Sequence, residues 1–144
     1  MIIIGADHTG FELKDKIRNF LEKQHLSYKD LSTVYDPEDD YPDIAKIVGQ
    51  NVKKNDKNIG ILICGSGVGM DIAANRIKGI RAALVYDAYT AKMSRSHNNA
   101  NIICFRARRF SPKKALKILK IFLNTPFASE QRHIRRIKKL EKIK

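Results

Sequence analysis

The chain contains a cysteine at the end of an apolar segment, followed at once by a glycine-rich loop. Residues 59–63 are apolar or glycine and are typical of a short buried strand, Cys64 ends them, and residues 65–69 are Gly-Ser-Gly-Val-Gly. Residues 70–75 then resemble the first turns of a helix. Such a loop can turn several backbone N–H groups toward one anionic oxygen, and the helix dipole adds to the attraction. Because the same surroundings stabilise a thiolate, the segment predicts a base beside an oxyanion site, which proton transfer next to a carbonyl group requires.

Two other interpretations of this segment stay open from the residues alone. Cys64 could be an inert core residue, as free cysteines often are, and Cys104, inside Ile-Ile-Cys-Phe, is expected to be one. The loop also resembles the dinucleotide-binding fingerprint of oxidoreductases. However, Met70 stands where the third glycine belongs, and the loop follows the third predicted strand rather than the first.

Two polar pairs follow other predicted elements. Asp7 and His8 come directly after the first strand, and His97 and Asn98 follow the fourth helix. Each pair could serve only as a cap or turn, since such residues are favoured there. The four histidines are scattered along the sequence without an evident carboxylate partner, so we expect no metal site.

Positive charge is concentrated in the last quarter of the chain. Of the 28 Lys and Arg residues, 14 lie in residues 106–144 against only two acidic residues, whereas residues 1–105 are nearly balanced. Arg132 and Arg136 are four residues apart, and so share one face of a helix, where their guanidinium groups suit a phosphate. The asymmetry indicates an anionic partner, either a small phosphorylated ligand or nucleic acid. We disfavour nucleic acid, because the segment has few aromatic residues for stacking and no recognised binding motif. A solvated helix face is the simplest alternative.

Composition limits the cellular setting. No apolar segment is long enough to span a bilayer, and the first residues lack the basic start and long apolar core of a secretory signal. The two cysteines are 40 residues apart and form neither a disulfide framework nor a zinc motif. We therefore expect a reduced, cytoplasmic protein with a single domain over residues 1–144.

Strand and helix patterns alternate along the chain and predict a doubly wound α/β fold, with binding residues at the carboxyl ends of the strands. Strands are expected at residues 2–5, 26–31, 59–64, 81–86 and 101–105. The second helix should begin at Tyr41-Pro42 and bury Ile44, Ile47, Val48 and Val52. A last helix, about 129–143 with Ile134, Ile137 and Leu140 as its apolar stripe, follows the five-strand unit, and we expect it to pack on a partner subunit.

Taken together, these segments resemble the B-type ribose-5-phosphate isomerase family, which also contains allose- and galactose-phosphate isomerases. The resemblance covers nearly the whole chain. Its motifs are Gly-Ala-Asp-His-Thr-Gly-Phe (5–11), Asp-Tyr-Pro (40–42), Ile-Leu-Ile-Cys-Gly-Ser-Gly-Val-Gly (61–69), Ala-Ala-Asn-Arg (73–76), Gly-Ile-Arg-Ala (79–82), Ser-Arg-Ser-His-Asn (94–98) and Arg-His (132–133).

The resemblance implies an aldose–ketose isomerase that interconverts ribose 5-phosphate and ribulose 5-phosphate through an enediolate, a step of the pentose phosphate pathway. The alternative within the family is an isomerase of allose or galactose 6-phosphate. By position, Cys64 would move the proton, Ser66 and the amides of residues 65–69 would hold the enediolate oxygen, and His97, aided by Asp7, would open the sugar ring. The residues implied to contact the substrate are Asp7, His8, Tyr41, Gly65, Ser66, Gly67, Val68, Gly69, Asn98, Arg108, Arg132 and Arg136. Among them His8, Arg132 and Arg136 would bind the phosphate, with Arg108 nearby, and Tyr41 and Asn98 would line the sugar pocket.

The resemblance also implies a three-layer αβα (Rossmann-like) fold whose five parallel strands are ordered 2-1-3-5-4. It implies no metal or organic cofactor, and active sites shared between the subunits of a homodimer or homotetramer. Ser66 stands where many members have threonine, a change that keeps the hydroxyl group.

Overall fold

A computed structural model describes residues 1–143 and contains a five-stranded parallel sheet with helices on both faces. The strands are β1 (Ile2–Ala6), β2 (Tyr28–Asp30), β3 (Ile59–Cys64), β4 (Ala82–Leu84) and β5 (Ile102–Arg106). The helices are α1 (Phe11–Lys23), α2 (Tyr41–Val52), α3 (Val68–Asn75), α4 (Ala88–Ser96), α5 (Pro112–Asn124) and α6 (Gln131–Leu140), and a 3-10 helix (His8–Gly10) joins β1 to α1. The strand order is β2-β1-β3-β5-β4, so both the three-layer fold and the order are confirmed.

The continuous apolar runs of the central strands have a direct physical cause. Successive side chains point to opposite faces, and here both faces are covered. In β3, Ile61 and Ile63 enter the core formed with α1, α4 and α5, whereas Leu62 and Cys64 enter the core formed with α2 and α3. Each buried aliphatic side chain contributes about 2 kcal/mol by removal from water, so the central strands hold the two layers together.

Lys14 is a fully buried cation that braces the end of β1. Its Nζ lies 3.1 Å from Asp30 Oδ2 and 3.2 Å from Ser32 Oγ, and it also contacts the backbone oxygen of Ser32. The same Ser32 hydroxyl accepts the Ala6 N–H at 2.9 Å. Because Ala6 immediately precedes Asp7, this buried network fixes the point at which the chain leaves the sheet.

Three details of the helices differ from the sequence-based expectation. Ile47, expected in the apolar stripe of α2, is 46% exposed, because α2 turns Val48 and Val52 rather than Ile47 toward the sheet. Helix α3 begins at Val68, two residues earlier than expected, because Gly67 adopts φ +79° and turns the chain directly into it. Helix α6 is shorter than expected, and Leu140 of its apolar stripe is 46% exposed.

None of the helices described over residues 1–143 is both long enough and apolar enough to cross a membrane.

Candidate active site

Cys64 lies at the carboxyl end of β3, beneath the glycine loop. The residue is 4% exposed, and its Sγ accepts a hydrogen bond from the Gly67 N–H at 3.2 Å. Gly67 must be glycine: besides its positive φ, a Cβ there would lie 2.5 Å from the Leu84 side chain and 2.9 Å from the Phe105 carbonyl carbon. The sequence thus brings a backbone donor against the sulfur, which is the arrangement that stabilises a thiolate.

The rest of the loop forms the rim around this sulfur. Ser66 is exposed, and its Oγ accepts the Val68 N–H at 3.3 Å. The Tyr41 ring packs against Gly69, where a Cβ would come within 2.6 Å of it. Tyr41 therefore lies beside the glycine loop.

Asp7 caps the 3-10 helix that leads away from β1. Its Oδ1 accepts the N–H groups of Thr9 at 3.0 Å and Gly10 at 3.1 Å and the Thr9 hydroxyl at 2.6 Å, and Asp7 is 6% exposed. The cap interpretation of Asp7 is therefore confirmed. Thr9, which sequence reasoning missed, also lies against the loop, since its Oγ1 is 3.3 Å from where a Gly65 Cβ would stand.

His8 and Arg108 form a basic pair above the loop. The Arg108 side chain passes over Gly65, 3.4 Å from the position of a Cβ, and the Arg108 backbone N–H donates to the Gly65 carbonyl at 3.1 Å. The expectation that the histidines have no carboxylate partner is wrong for His8, because Asp39 Oδ1 lies 2.7 Å from its Nδ1. The hydrogen bond to Asp39 raises the pKa of His8 and outweighs burial and the nearby Arg108, which lower it. The sequence does not predict this role of Asp39, because Asp39 lies in a loop whose residues follow no periodic pattern.

The remaining candidate residues form a second group around the end of α4. His97 is the C-cap residue of α4, and its ring stacks on that of His133 with centroids 4.3 Å apart. His133 belongs to α6, is 3% exposed, and has its pKa lowered by burial and then by His97. The stack holds α6 beside His97. Arg132 and Arg136 are on the same helix, and both are exposed.

Within one chain, the group around Cys64 lies at the carboxyl ends of the strands, and the group around His97 lies at their amino ends. The backbone that follows His97 enters the amino end of β5, where the Asn101 N–H donates to the Arg81 carbonyl at 3.0 Å. The other end of β5 pairs with Cys64 through Arg106. At 3.3 Å per residue, β5 separates these two ends by about 13 Å. Cys64, Asp7 and His8 are therefore not brought together with His97, Asn98 and the two arginines.

A cavity of about 910 Å³ adjoins the second group rather than Cys64. Asn98, Arg81 and Leu140 are among the residues that line it, and Arg81 makes an ion pair of 2.6 Å with Glu141 across it. This cavity thus lies beside α6 and the end of α4.

Two further groups near the sulfur bear on its chemistry. Cys104 is fully buried and its pKa is raised by that burial, as suits an inert core cysteine. Asp71, on the first turn of α3, has its pKa raised by partial burial. Within residues 1–143, no three His, Cys, Asp or Glu side chains are grouped so that they could hold a metal ion.

The comparison with known proteins matches this architecture over nearly its whole length. The model of the Ribose/Galactose Isomerase family matches residues 2–140. The chain belongs to this family. It is 46% identical over 140 residues to the "Probable ribose-5-phosphate isomerase B" of Mycoplasma pneumoniae. The aligned region covers 96% of this chain and 91% of that protein.

Solved structures of the family superpose closely on the fold. The ribose 5-phosphate isomerase of Thermotoga maritima has a TM-score of 0.94 at 44% identity, over 99% of this chain and 97% of that one. Ribose-5-phosphate isomerase B of Mycoplasma genitalium, crystallised with bound ribulose 5-phosphate, has a TM-score of 0.92 at 44% identity, over 97% and 93% of the two chains.

Proposed function

We propose that this member of the family interconverts ribose 5-phosphate and ribulose 5-phosphate by proton transfer through an enediolate. The observation that carries the proposal is the Gly67 N–H held 3.2 Å from Cys64 Sγ at the carboxyl edge of the sheet. The relative that holds ribulose 5-phosphate in its structure supports the choice of substrate.

In the proposed reaction, the Cys64 thiolate removes the proton from C2 of the open-chain aldose, and the electron pair passes to the carbonyl oxygen. The resulting enediolate carries its charge on oxygen, where the N–H groups of residues 65–69 and the Ser66 hydroxyl can donate hydrogen bonds. The proton of the C2 hydroxyl group then passes to the C1 oxygen, which leaves the charge on the C2 oxygen. The thiol returns its proton to C1 as the C2 carbonyl forms, which gives the ketose and restores the thiolate. Preorganised donors of this kind lower the barrier most where charge develops, beside the sulfur.

Ring opening and phosphate binding require groups that lie at the other edge of the same chain. We infer that a second copy supplies them, so that His97, Asn98, Arg132 and Arg136 of one subunit face Cys64 of its partner. His97 would exchange a proton with the ring oxygen, and Asp7 would face it only across that junction. Both arginines are exposed in the single chain and offer planar donors for phosphate oxygens.

The surface next to the glycine loop supports such a junction. Val68 and Ile72 lie one turn apart on α3, and they are 44% and 54% exposed. Large apolar side chains left in water beside a polar site are typical of a protein–protein interface. The last helix, expected to pack on a partner subunit, carries an exposed Leu140 at the other edge. Dimer and tetramer both satisfy these observations. With no disulfide between the two buried cysteines, we also propose a reduced, cytoplasmic setting.

The decisive experiment follows conversion of ribose 5-phosphate by the purified protein with and without EDTA. We expect conversion in both conditions, and loss of nearly all turnover in Cys64→Ala. Cys104→Ala is the matched control, because it removes a thiol from the same layer without touching the loop. Wild-type kcat in Cys64→Ala would show that another group is the base, with Asp71 the first to test. Parallel kcat/KM values for allose 6-phosphate and galactose 6-phosphate decide between the pentose and hexose substrates.

A further inference from the structure

One carboxylate oxygen of Asp39 contacts His8 twice. Asp39 Oδ1 accepts the His8 backbone N–H at 3.0 Å and lies 2.7 Å from the ring Nδ1. An ionised carboxylate only accepts hydrogen bonds, so Nδ1 must carry the hydrogen of this contact. Nε2 can then donate to an anion only when the ring is protonated, and the contact stops the ring from turning freely.

Asp39 differs in setting from the other acidic residues of its loop. Asp36, Glu38 and Asp40 are exposed, whereas the Asp39 side chain is 17% exposed. Asp36 accepts the Glu38 N–H at 3.0 Å, which folds the loop back on itself and leaves Asp39 turned toward His8. The other charged groups that act on His8 are Asp7, which favours its cation, and Arg108, which opposes it.

We propose that Asp39 is a positioning residue for the substrate's phosphate: it orients the His8 ring and supplies the counter-charge that favours the imidazolium beside Arg108. The proposal rests on the proposed function and on the phosphate contact that the family resemblance implies for His8. The hydrogen bond to Asp39 is the largest cause of the raised pKa of His8, ahead of the opposing effects of burial and Arg108. When Asp39 is replaced by a neutral residue, His8 should therefore lose its proton at lower pH.

Two accounts of Asp39 predict effects of opposite sign. If Asp39 acts only as a negative charge near the anion, Asp39→Asn removes repulsion, and an anion binds more tightly at every pH. If it acts through His8, Asp39→Asn changes binding least at the lowest pH, where His8 keeps its proton most fully in both proteins. As the pH rises, the variant then binds the anion more weakly than the wild-type protein, because its imidazole loses its proton first.

The experiment measures KM for ribose 5-phosphate and the inhibition constant of sulfate between pH 6 and 9. Sulfate is used because its charge does not change over this range. In Asp39→Asn we expect the rise of both constants over the wild-type values to be smallest at pH 6 and to reach about three- to tenfold at higher pH, the size of effect that one lost hydrogen bond gives at a partly exposed site. Glu38→Gln removes the same charge from the same loop at an exposed side chain and should follow the wild-type protein.

A second measurement uses the unmodified protein and needs no variant to fold. The ring resonances of His8 are titrated by NMR with and without sulfate. We expect His8 to lose its proton at higher pH than His133, and to keep its hydrogen on Nδ1 when neutral. Equal or tighter sulfate binding by Asp39→Asn across the pH range, or a His8 that titrates with His133, would overturn the proposal. A protein that fails to isomerise sugar phosphates would overturn the proposed function instead, because sulfate binding followed by the His8 ring resonances does not depend on turnover.

Discussion

Substituting the two positive-φ glycines separates backbone strain from crowding at the active-site loop. Gly67 has φ +79° and Gly79 has φ +86°, so alanine at either position is forced into the left-handed region. That conformation costs about 1–2 kcal/mol for a residue with a Cβ. The surroundings differ: a Cβ at Gly79 would meet nothing within 4 Å, whereas one at Gly67 would lie 2.9 and 3.0 Å from the carbonyl carbon and oxygen of Phe105.

The Phe105 carbonyl belongs to β5 and cannot rotate away, so the loop itself must move in Gly67→Ala. Such overpacking adds about 1–3 kcal/mol, which brings the expected loss of unfolding free energy to about 2–5 kcal/mol. At about 2–4 °C per kcal/mol for a protein of this size, Tm should fall by about 4–20 °C, against about 2–8 °C for Gly79→Ala. The movement also draws the Gly67 N–H away from Cys64 Sγ.

The assay combines thermal unfolding followed by circular dichroism with kcat for ribose 5-phosphate, measured well below Tm. Gly67→Ala should lose most of its kcat, and Gly79→Ala should keep it. Equal Tm values for the two variants would refute the reasoning. A Gly67→Ala protein with the lower Tm of the two but the wild-type kcat would also refute it. The first result would mean that the Phe105 contact is not rigid, and the second that the loop amide does not act on the reaction.

Three further substitutions test other parts of the structure. Lys14→Met should lower the urea-derived unfolding free energy by about 3 kcal/mol, because the buried Asp30 carboxylate then keeps only Arg18, whose Nε lies 3.6 Å away. Lys16→Met, at the exposed ion pair with Glu12, should leave that free energy nearly unchanged. Arg136→Ala should raise KM by about ten- to a hundredfold through a lost phosphate contact, while kcat stays unchanged. Arg135→Ala on the same helix should change neither constant. Equal effects of the two substitutions would argue for general attraction by the basic helix. Ile72→Lys should move the protein to a monomer in gel filtration and abolish turnover; an active monomer would remove the need for a second copy.

The sequence predicts most of the fold because the central strands are buried on both faces and therefore apolar throughout. It also predicts the group at the carboxyl ends of the strands, since parallel strands end there together, Cys64 ends one strand, and Asp7 and His8 follow another. The resemblance to a family, rather than any spacing, is what links His97 and Arg136 to the same site.

Other contacts depend on features that no local pattern records. The contact of Asp39 with His8 depends on the path of an aperiodic loop across 31 residues of separation. The stack of His97 on His133 depends on where α6 docks after the five-strand unit is complete. The exposure of Ile47 depends on the rotation of α2, which its neighbours Val48 and Val52 decide by packing.

Complementation between inactive subunits tests the shared site most directly. Cys64→Ala keeps the arginines, and an Arg132→Ala, Arg136→Ala double variant keeps the cysteine, so each is assayed alone at substrate concentrations far below the KM of the double variant. Equimolar mixing and refolding should make half of the dimers mixed, each with one intact site, and activity should return to about one quarter of the wild-type value. Mixed dimers, identified by different tags, that show no more activity than the two parents would mean that the cysteine and the arginines serve the same chain or different functions.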